Sequence, residues 1–347
     1  MKIGDRIISI KEKPFIIAEA GINHNGNLET AFRMIETAKD IDVDAVKFQT
    51  FKAEEFNVDE TATYTYHSQG KEITESMLQM FKRYEFTFNE WEQIKKKCDD
   101  IGIMFLSTPQ NISDLELLMQ LDLPAIKVGS DDFTNIPLLK KYASKRLPML
   151  LSCGMADLGE VYYSLEAVEA FARDDIALLL CTSEYPTPYE DVNLNKLKTL
   201  HSAFPELVLG FSDHTQGSLA AGMAVALNAC VFEKHFTLDN DMEGPDHWFS
   251  DNPLSLAEWK KTILDGWSLL GSSVVRPTLK EREMRSLARR SIYTVQDIEE
   301  GEILTEKKLG MFRPGDGLQA KELRNIIGKK AKNNISRGHK LNWGDLY

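Results

Sequence analysis

The chain has 347 residues, 43% hydrophobic and 27% charged, the composition of an ordinary soluble globular protein with room for one large domain and a small one. Its net charge of −12, from 53 acidic against 41 basic residues, argues against nucleic acid or an anionic membrane as the main partner, though not against a small anionic substrate. No apolar run approaches the roughly 20 residues of a membrane span, and Met1-Lys2-Ile3-Gly4-Asp5-Arg6 lacks the apolar core and cleavage site of a signal peptide, so a cytoplasmic protein is expected.

Eight apolar, β-rich runs recur along the chain, at 15–20, 45–50, 103–108, 125–129, 149–153, 177–181, 207–211 and 230–236. Their continuous apolar character suits strands buried on both faces of a parallel sheet. Amphipathic helical patterns follow them at 28–40, 88–100, 113–121, 136–143, 158–172, 194–201, 217–227 and 256–270. Eight alternating units predict an α/β fold, a (β/α)8 TIM barrel of the usual ~250 residues, with a doubly wound open sheet as the alternative. Cys98, Cys153, Cys181 and Cys230 form no CxxC pair and read as buried reduced thiols.

One segment breaks the rhythm. Residues 52–85, with Tyr64, Tyr66, His67 and Met77, are too many for a simple strand-to-helix loop. They read as an excursion over the barrel mouth or as a packing insert. After residue 271 the pattern changes: Gly271-Ser272-Ser273 and Pro277 open a charged stretch that reads as a linker or linker helix over 272–290. Residues 291–347 then form a small compact unit, with a strand candidate at Ser291-Ile292-Tyr293-Thr294-Val295 and a tight loop at Arg313-Pro314-Gly315-Asp316-Gly317.

Every strand candidate ends in polar residues. In order they are Glu19; Lys47 and Gln49; Ser107 and Thr108; Lys127 and Ser130; Ser152; Thr182, Ser183 and Tyr185; Ser212, Asp213 and His214; and His235. In a barrel these ends collect at one rim, where active sites of this fold are built. Lys47 and Lys127 each close a buried strand, which is costly unless the ammonium meets an anion. With the hydroxyls of Thr108, Ser130, Ser152, Ser183 and Ser212 they suit a phosphate and a carboxylate on one small molecule. Taken singly, each serine reads as a strand-end hydrogen bond to backbone. His214 and His235 end the seventh and eighth runs, close enough to share a divalent ion. Glu19 is placed to orient water or a hydroxyl, and Asp246 in Gly244-Pro245-Asp246-His247 to bind hydroxyls; His247 reads as exposed or functional with equal weight. No Walker A loop and no strand-following GxGxxG is present.

These segments resemble the sialic acid synthase family: IIAEAGINHNG at 16–26, VKFQT at 46–50, LSTP at 106–109, KVGS at 127–130, LSCGM at 151–155, CTSEYPTPYEDV at 181–192, FSDHT at 211–215, EKHFTL at 233–238 and GPDH at 244–247. The resemblance covers essentially the whole chain, and residues 291–347 are similar to the family's C-terminal antifreeze-like (SAF) domain, with RPGDG at 313–317 the clearest mark. It implies condensation of phosphoenolpyruvate with an N-acetylmannosamine-type sugar to a nine-carbon 2-keto acid and phosphate, with N-acetylneuraminate the first expected product. His214 and His235 then match ligands of a divalent ion, typically manganese. Lys47, Thr108, Lys127, Ser130, Ser152, Ser183, Tyr185 and Ser212 match positions around phosphoenolpyruvate. Glu19, Gln49, Asp132, Tyr185 and Asp246 match the sugar side. Arg313 resembles an arginine that the family delivers from the SAF domain of the partner subunit, which implies a domain-swapped homodimer.

The chain departs from the family pattern on the sugar side. Ser183 stands where N-acetylneuraminate synthases often carry Asn, Asp132 replaces a Glu, and Gln110 replaces an aromatic residue. Legionaminic acid synthases share the GPDH stretch, so a 2,4-diacetamido-2,4,6-trideoxymannose acceptor is the alternative. A synthase of a phosphorylated seven- or eight-carbon product and a non-catalytic sugar-binding barrel are further readings; the SAF-like tail counts against the first, the intact Glu19, Lys47, Lys127, His214 and His235 against the second.

Overall fold

The computed structural model describes residues 1–59 and 61–347. The chain divides into two compact units, Met1–Gly271 and Ser272–Tyr347. In the first, eight parallel strands close into a barrel: β1 Phe15–Gly21, β2 Ala45–Thr50, β3 Met104–Pro109, β4 Ile126–Val128, β5 Met149–Ser152, β6 Ile176–Cys181, β7 Val208–Ser212 and β8 Val231–His235. They pair in chain order, and β8 returns to β1. The matching helices are α1 Leu28–Asp40, α2 Phe88–Ile101, α3 Ile112–Met119, α4 Ile136–Ala143, α5 Leu158–Ala167, α6 Asn195–Ala203, α7 Leu219–Ala226 and α8 Pro253–Leu270. This is the TIM-barrel alternation predicted from the apolar runs. No described helix is long and apolar enough to cross a membrane.

Strand pleat sorts the side chains. Ile16, Ala18, Val46, Phe48, Phe105, Ile126, Leu178, Leu209 and Phe232 point outward into the core shared with the helices. Phe15, Ile17, Ala45, Leu106, Ala125, Leu150, Ala177, Leu179 and Val231 point inward and fill the lower barrel. Ile3 and Ile8, from a short N-terminal hairpin, join this inner layer and plug the bottom. The next inward positions up are the polar ones. Register therefore decides the site: Glu19 pairs with Lys47 on one side and His235 on the other, Gln49 with Thr108, and Ser212 with both Cys181 and Glu233. A slip of one residue would turn every one of these side chains to the helical layer.

Helix starts follow local chemistry. Asn27 accepts from the Thr30 amide at the start of α1, and Thr87 with Glu90 and Asp157 with Glu160 form reciprocal caps on α2 and α5. The helix predicted over 158–172 ends at Ala167, because Glu169 takes a left-handed φ of 59°, and one 3-10 turn, Ala170–Ala172, finishes the segment. The 52–85 insert holds a hairpin of Thr63–Ser68 against Lys71–Ser76 and a short helix, Met77–Lys82. All four cysteines are buried and free, as the sequence reading expected.

In the second unit, α9 (Leu279–Ala288) occupies the segment expected to be a linker or linker helix and buries none of its residues. Antiparallel β9 (Ser291–Thr294) and β10 (Leu309–Phe312) follow, around a small core of Ile292, Ile298, Leu304, Leu318, Ile326, Ala331, Ile335, Leu341 and Leu346.

Candidate active site

The strand ends enclose a cavity of about 460 Å³, ordinary for a small-molecule site. Its floor is ionic. Lys47, 2% exposed, donates from Nζ to Glu19 Oε1 at 2.5 Å and to Thr108 Oγ1 at 3.1 Å. Lys127, also 2% exposed, donates to Ser152 Oγ at 2.9 Å and to its neighbour's carbonyl, Val128 O, at 3.0 Å. Glu233 lies between them, its Oε2 3.7 Å from the Lys47 ammonium and its Oε1 3.5 Å from that of Lys127, and it accepts from Ser212 Oγ at 3.0 Å. Burial alone would push the Glu19 carboxyl up, but the ammoniums of Lys47 and Lys127 hold it well below the usual carboxylate range. Burial works against the Lys47 charge too, yet Glu19 and Glu233 raise its pKa. Two buried ammoniums and two buried carboxylates are expensive to assemble, and no packing need explains them.

Glu233 was not among the residues singled out from the sequence. The signal was present: with His235 facing inward, a period of two puts Glu233 and Val231 inward as well. The same period turns Ser107 outward, where its hydroxyl meets Thr50 Oγ1 at 2.7 Å and the Phe48 carbonyl at 3.2 Å, so this strand-end serine is structural.

Beside the floor, Gly154 N donates to Ser130 Oγ at 3.0 Å. A Cβ on Gly154 would stand 2.5 Å from Ser183 Oγ and 2.6 Å from Ser130 Oγ, so only glycine lets the backbone amide and both hydroxyls converge. Ser183 Oγ, Glu233 Oε2 and His235 Nδ1 are buried without a hydrogen-bond partner, and all three residues line the cavity. Unsatisfied polar atoms on one cavity wall point to a ligand that completes them.

His214 and His235 stand with ring centroids 5.5 Å apart. His214 Nδ1 lies 2.7 Å from the Thr182 carbonyl, a contact in which the ring nitrogen donates, leaving Nε2 as the lone-pair nitrogen. Burial lowers the His235 pKa to about 4 despite the Glu19 carboxylate 3.6 Å away, so this imidazole is neutral at physiological pH. Asp246 Oδ2 is 4.0 Å from His235 Nδ1, and burial together with the Glu19 charge raises the Asp246 carboxyl to about 7. The unpartnered Nδ1 of His235 and the free Nε2 edge of His214, beside carboxylates, fit a divalent ion; among the described residues no third His, Cys, Asp or Glu closes a three-ligand cluster. Tyr185 stacks on His214 at 4.2 Å and meets His235 edge-on at 5.7 Å.

The cavity thus gathers Glu19, Lys47, Gln49, Thr108, Lys127, Ser130, Ser152, Ser183, Tyr185, Ser212, His214, His235 and Asp246. Gln49 donates to Glu19 Oε1 at 3.1 Å. Asp132 is not brought to the wall. Its Oδ1 accepts at 3.0 Å from the side chain of Asn135, the residue that caps α4, while the neighbouring Asp131 lines the cavity instead. Arg313 is exposed on the C-terminal unit, immediately before Pro314. His247, read from the sequence as equally exposed or functional, is 1% exposed: it bonds Thr237 Oγ1 at 2.6 Å and Asn25 Oδ1 at 3.1 Å, which locks the 244–247 loop to the 23–26 turn. A separate hollow of about 560 Å³ on the outer surface, lined by Tyr189, Leu219 and Met223, holds only the exposed charges Glu190 and Lys198 and none of this chemistry.

The comparisons agree with this geometry. Residues 34–275 match the NeuB family and residues 289–346 the SAF domain. The N,N'-diacetyllegionaminic acid synthase of Legionella pneumophila is 38% identical over 333 residues, covering 95% of this chain and 93% of that protein. The human N-acetylneuraminate-9-phosphate synthase is 34% identical over 321 residues, covering 91% and 88%. The crystal structure of an N-acetylneuraminic acid synthetase from Leptospira borgpetersenii, in complex with citrate, superposes with a TM-score of 0.73 at 31% identity, over 82% of this chain and 94% of that one. A barrel whose inward strand ends carry paired lysines, hydroxyls and two histidines, followed by a SAF domain and matched along most of its length, belongs to the NeuB family of sialic acid synthases.

Proposed function

We propose that this chain is a nonulosonic acid synthase that condenses phosphoenolpyruvate with an N-acetylated mannosamine-type sugar, releasing phosphate. The product is N-acetylneuraminate from N-acetylmannosamine, or a legionaminic-type acid from the 2,4-diacetamido-2,4,6-trideoxy sugar. The observation that carries the reading is the buried ionic floor, Glu19–Lys47–Glu233–Lys127, overlaid by hydroxyls and a backbone amide.

Lys47 and Lys127, with Thr108, Ser130, Ser152, Ser183 and Ser212, hold the donor's phosphate and carboxylate. The donor's methylene carbon then attacks the sugar aldehyde. A C–C bond forms, the aldehyde oxygen gains a proton, and positive charge develops on the former enol carbon. Water adds there, loses a proton, and the C–O bond to phosphate breaks. Glu19, held ionised by its two lysines and bonded to Gln49, orients that water and takes its proton. His214 and His235 would hold a divalent ion, Mn2+ by the family pattern, which would supply Lewis-acid polarisation of the aldehyde oxygen. The four floor charges cancel one another, so a donor bearing phosphate and carboxylate adds negative charge that a divalent cation offsets.

Arg313 of a second subunit completes the sugar side in this reading. Mixing an Arg313→Ala subunit with a Lys47→Met subunit should restore activity in confirmed heterodimers; no restoration would place Arg313 in its own chain's site. The primary test is phosphate release from phosphoenolpyruvate with Mn2+ and a panel of acetamido sugars. Sugar-dependent release is expected, and its absence with every sugar would end the synthase reading.

A further inference from the structure

The acceptor lies between the ionic floor and the cavity mouth. Its aldehyde has to meet a donor whose anionic groups are held by Lys47 and Lys127, so its far end points outward. The outer wall is supplied largely by the 52–85 insert and the strand ends beside it, and it is mainly apolar and uncharged: Ile22, Phe51, Phe56, Met77, Met80 and Phe81 line it, with the Tyr64 hydroxyl and the Gln110 amide its neutral polar groups. Three of these form an edge-to-face triad, Phe51–Phe56 at 5.8 Å, Phe51–Phe81 at 5.3 Å and Phe56–Phe81 at 5.1 Å. Ile22, Phe51 and Met80 are buried in a small core of their own with Tyr84, which fixes the wall in place. The hairpin is also tied to the loop carrying Asp246. Gly244 N donates to Ser68 Oγ at 3.1 Å, and His67 meets Trp248 edge-on at 5.4 Å.

The wall has no cation to offer. Among the described lining residues the lysines are Lys47 and Lys127, both at the floor, and no arginine is present, whereas Asp131 and Asp246 add negative charge. Of the basic residues carried by the insert, Lys52 pairs with Glu85, Lys82 with Glu54 and Arg83, through two nitrogens, with Glu75, all carboxylates outside the cavity, and Lys71 is exposed on the hairpin and does not line it. A phosphate against this wall would lose its hydration with no ion to replace it. A methyl group would gain from the same contact.

We propose that Phe56, Met77 and Phe81 are specificity-determining residues, and that they select an uncharged acceptor whose far end is a methyl group, a 6-deoxy acetamido sugar, over a 6-phosphorylated one. The inference rests on the synthase reading above and goes beyond it by assigning the choice between acceptors to named residues of the wall. A hydrophobic wall discriminates a methyl from a hydroxymethyl group by about tenfold. It discriminates either from a phosphate far more strongly, because the penalty is that of an unpaired dianion.

The test measures phosphate release by the full-length chain with phosphoenolpyruvate, Mn2+ and three acceptors: 2-acetamido-2-deoxymannose, its 6-phosphate, and 2,4-diacetamido-2,4,6-trideoxymannose. The trideoxy sugar is expected to have the highest kcat/KM, about tenfold above the hydroxymethyl sugar, with the 6-phosphate at least 100-fold below the best. Equal or better turnover of the 6-phosphate overturns the acceptor assignment while leaving the synthase reading intact; silence with all three overturns both. Met77, only partly buried, tolerates exchange. In Met77→Lys the preference should move at least tenfold toward the 6-phosphate through the sugar KM, with the KM for phosphoenolpyruvate unchanged, while Met77→Leu keeps the original order. An unmoved ratio in a folded Met77→Lys protein removes the wall from specificity, and Phe56→Ser, at a 38% exposed position, repeats the test on the second side chain.

Discussion

The floor and the rim of the cavity are built in different ways. The floor comes from consecutive inward positions of β1, β2, β4 and β8, where parallel register sets Glu19 between Lys47 and His235. Its charged groups have no freedom to move apart, because the strands beneath them are packed on both faces. The rim comes from the 52–85 insert and the 244–247 loop, held by single hydrogen bonds and aromatic contacts such as Ser68–Gly244 and His67–Trp248. In the proposed function, the chemistry that must not vary is assigned to the rigid element and selection of the acceptor to the loops.

The largest expected effect is at the floor. Lys47→Met should lower kcat/KM by about 1,000-fold, since it removes a preorganised cation from where negative charge is held. It also leaves Glu19 and Glu233 buried beside a methionine, with a stability loss of about 3 kcal/mol. The sign of the pH dependence follows from Glu19. Its folded pKa is depressed, so it contributes stability above its unfolded value near 4.5, lost as pH falls below that. Thermal unfolding of Lys47→Met should show a weaker acid destabilisation than the parent; an equal slope in both would detach Glu19 from Lys47.

Next come the histidines that join floor to rim. His214→Ala, His235→Ala and chelation of the parent should each reduce turnover by about 100-fold or more, and added Mn2+ should rescue only the chelated parent. Full activity in either variant would remove that residue as a ligand. At the rim the effect shrinks: Asp246→Asn should raise the sugar KM by about tenfold with the phosphoenolpyruvate KM unchanged. A fall in kcat of floor magnitude would instead make Asp246 part of the reacting centre, and the division between floor and rim would fail there.

The smallest effect lies outside the cavity and serves as a control. Asp114, in the first turn of α3, is 2% exposed, and burial raises its carboxyl to about 6 even though Asn111 donates to it at 2.7 Å. Its folded pKa exceeds the ordinary value of 3.8, so its ionisation costs stability as pH rises from about 4 through 6. Asp114→Asn should therefore be more stable than the parent by about 1–2 kcal/mol at pH 8, the gain vanishing below pH 4, with kcat/KM unchanged. Urea unfolding at the two pH values reads this directly.

Much of this organisation was legible from the chain. The strand runs stand out because strands covered on both faces must be apolar throughout, and their polar ends stand out because the barrel offers polar residues only one rim. Lys47, Lys127, His214 and His235 follow from that alone. Glu233 was hidden by Lys234 and His235 beside it, and needed the inward–outward alternation to be anchored before it could be assigned. Asp132 and Asp131 are adjacent, and the sequence cannot say which of two carboxylates binds the Asn135 amide and which lines the cavity.

The sequence by itself determined the barrel, the polar rim and the family, because hydrophobic period and strand-end composition are local properties. The tertiary structure alone decided that two lysines share Glu233, that His235 Nδ1 is left unpartnered, and that an insert of aromatic and methionine residues forms an apolar outer wall. Those depend on the closure of β8 onto β1 and on where the hairpin lands, which are distances between residues far apart in the chain.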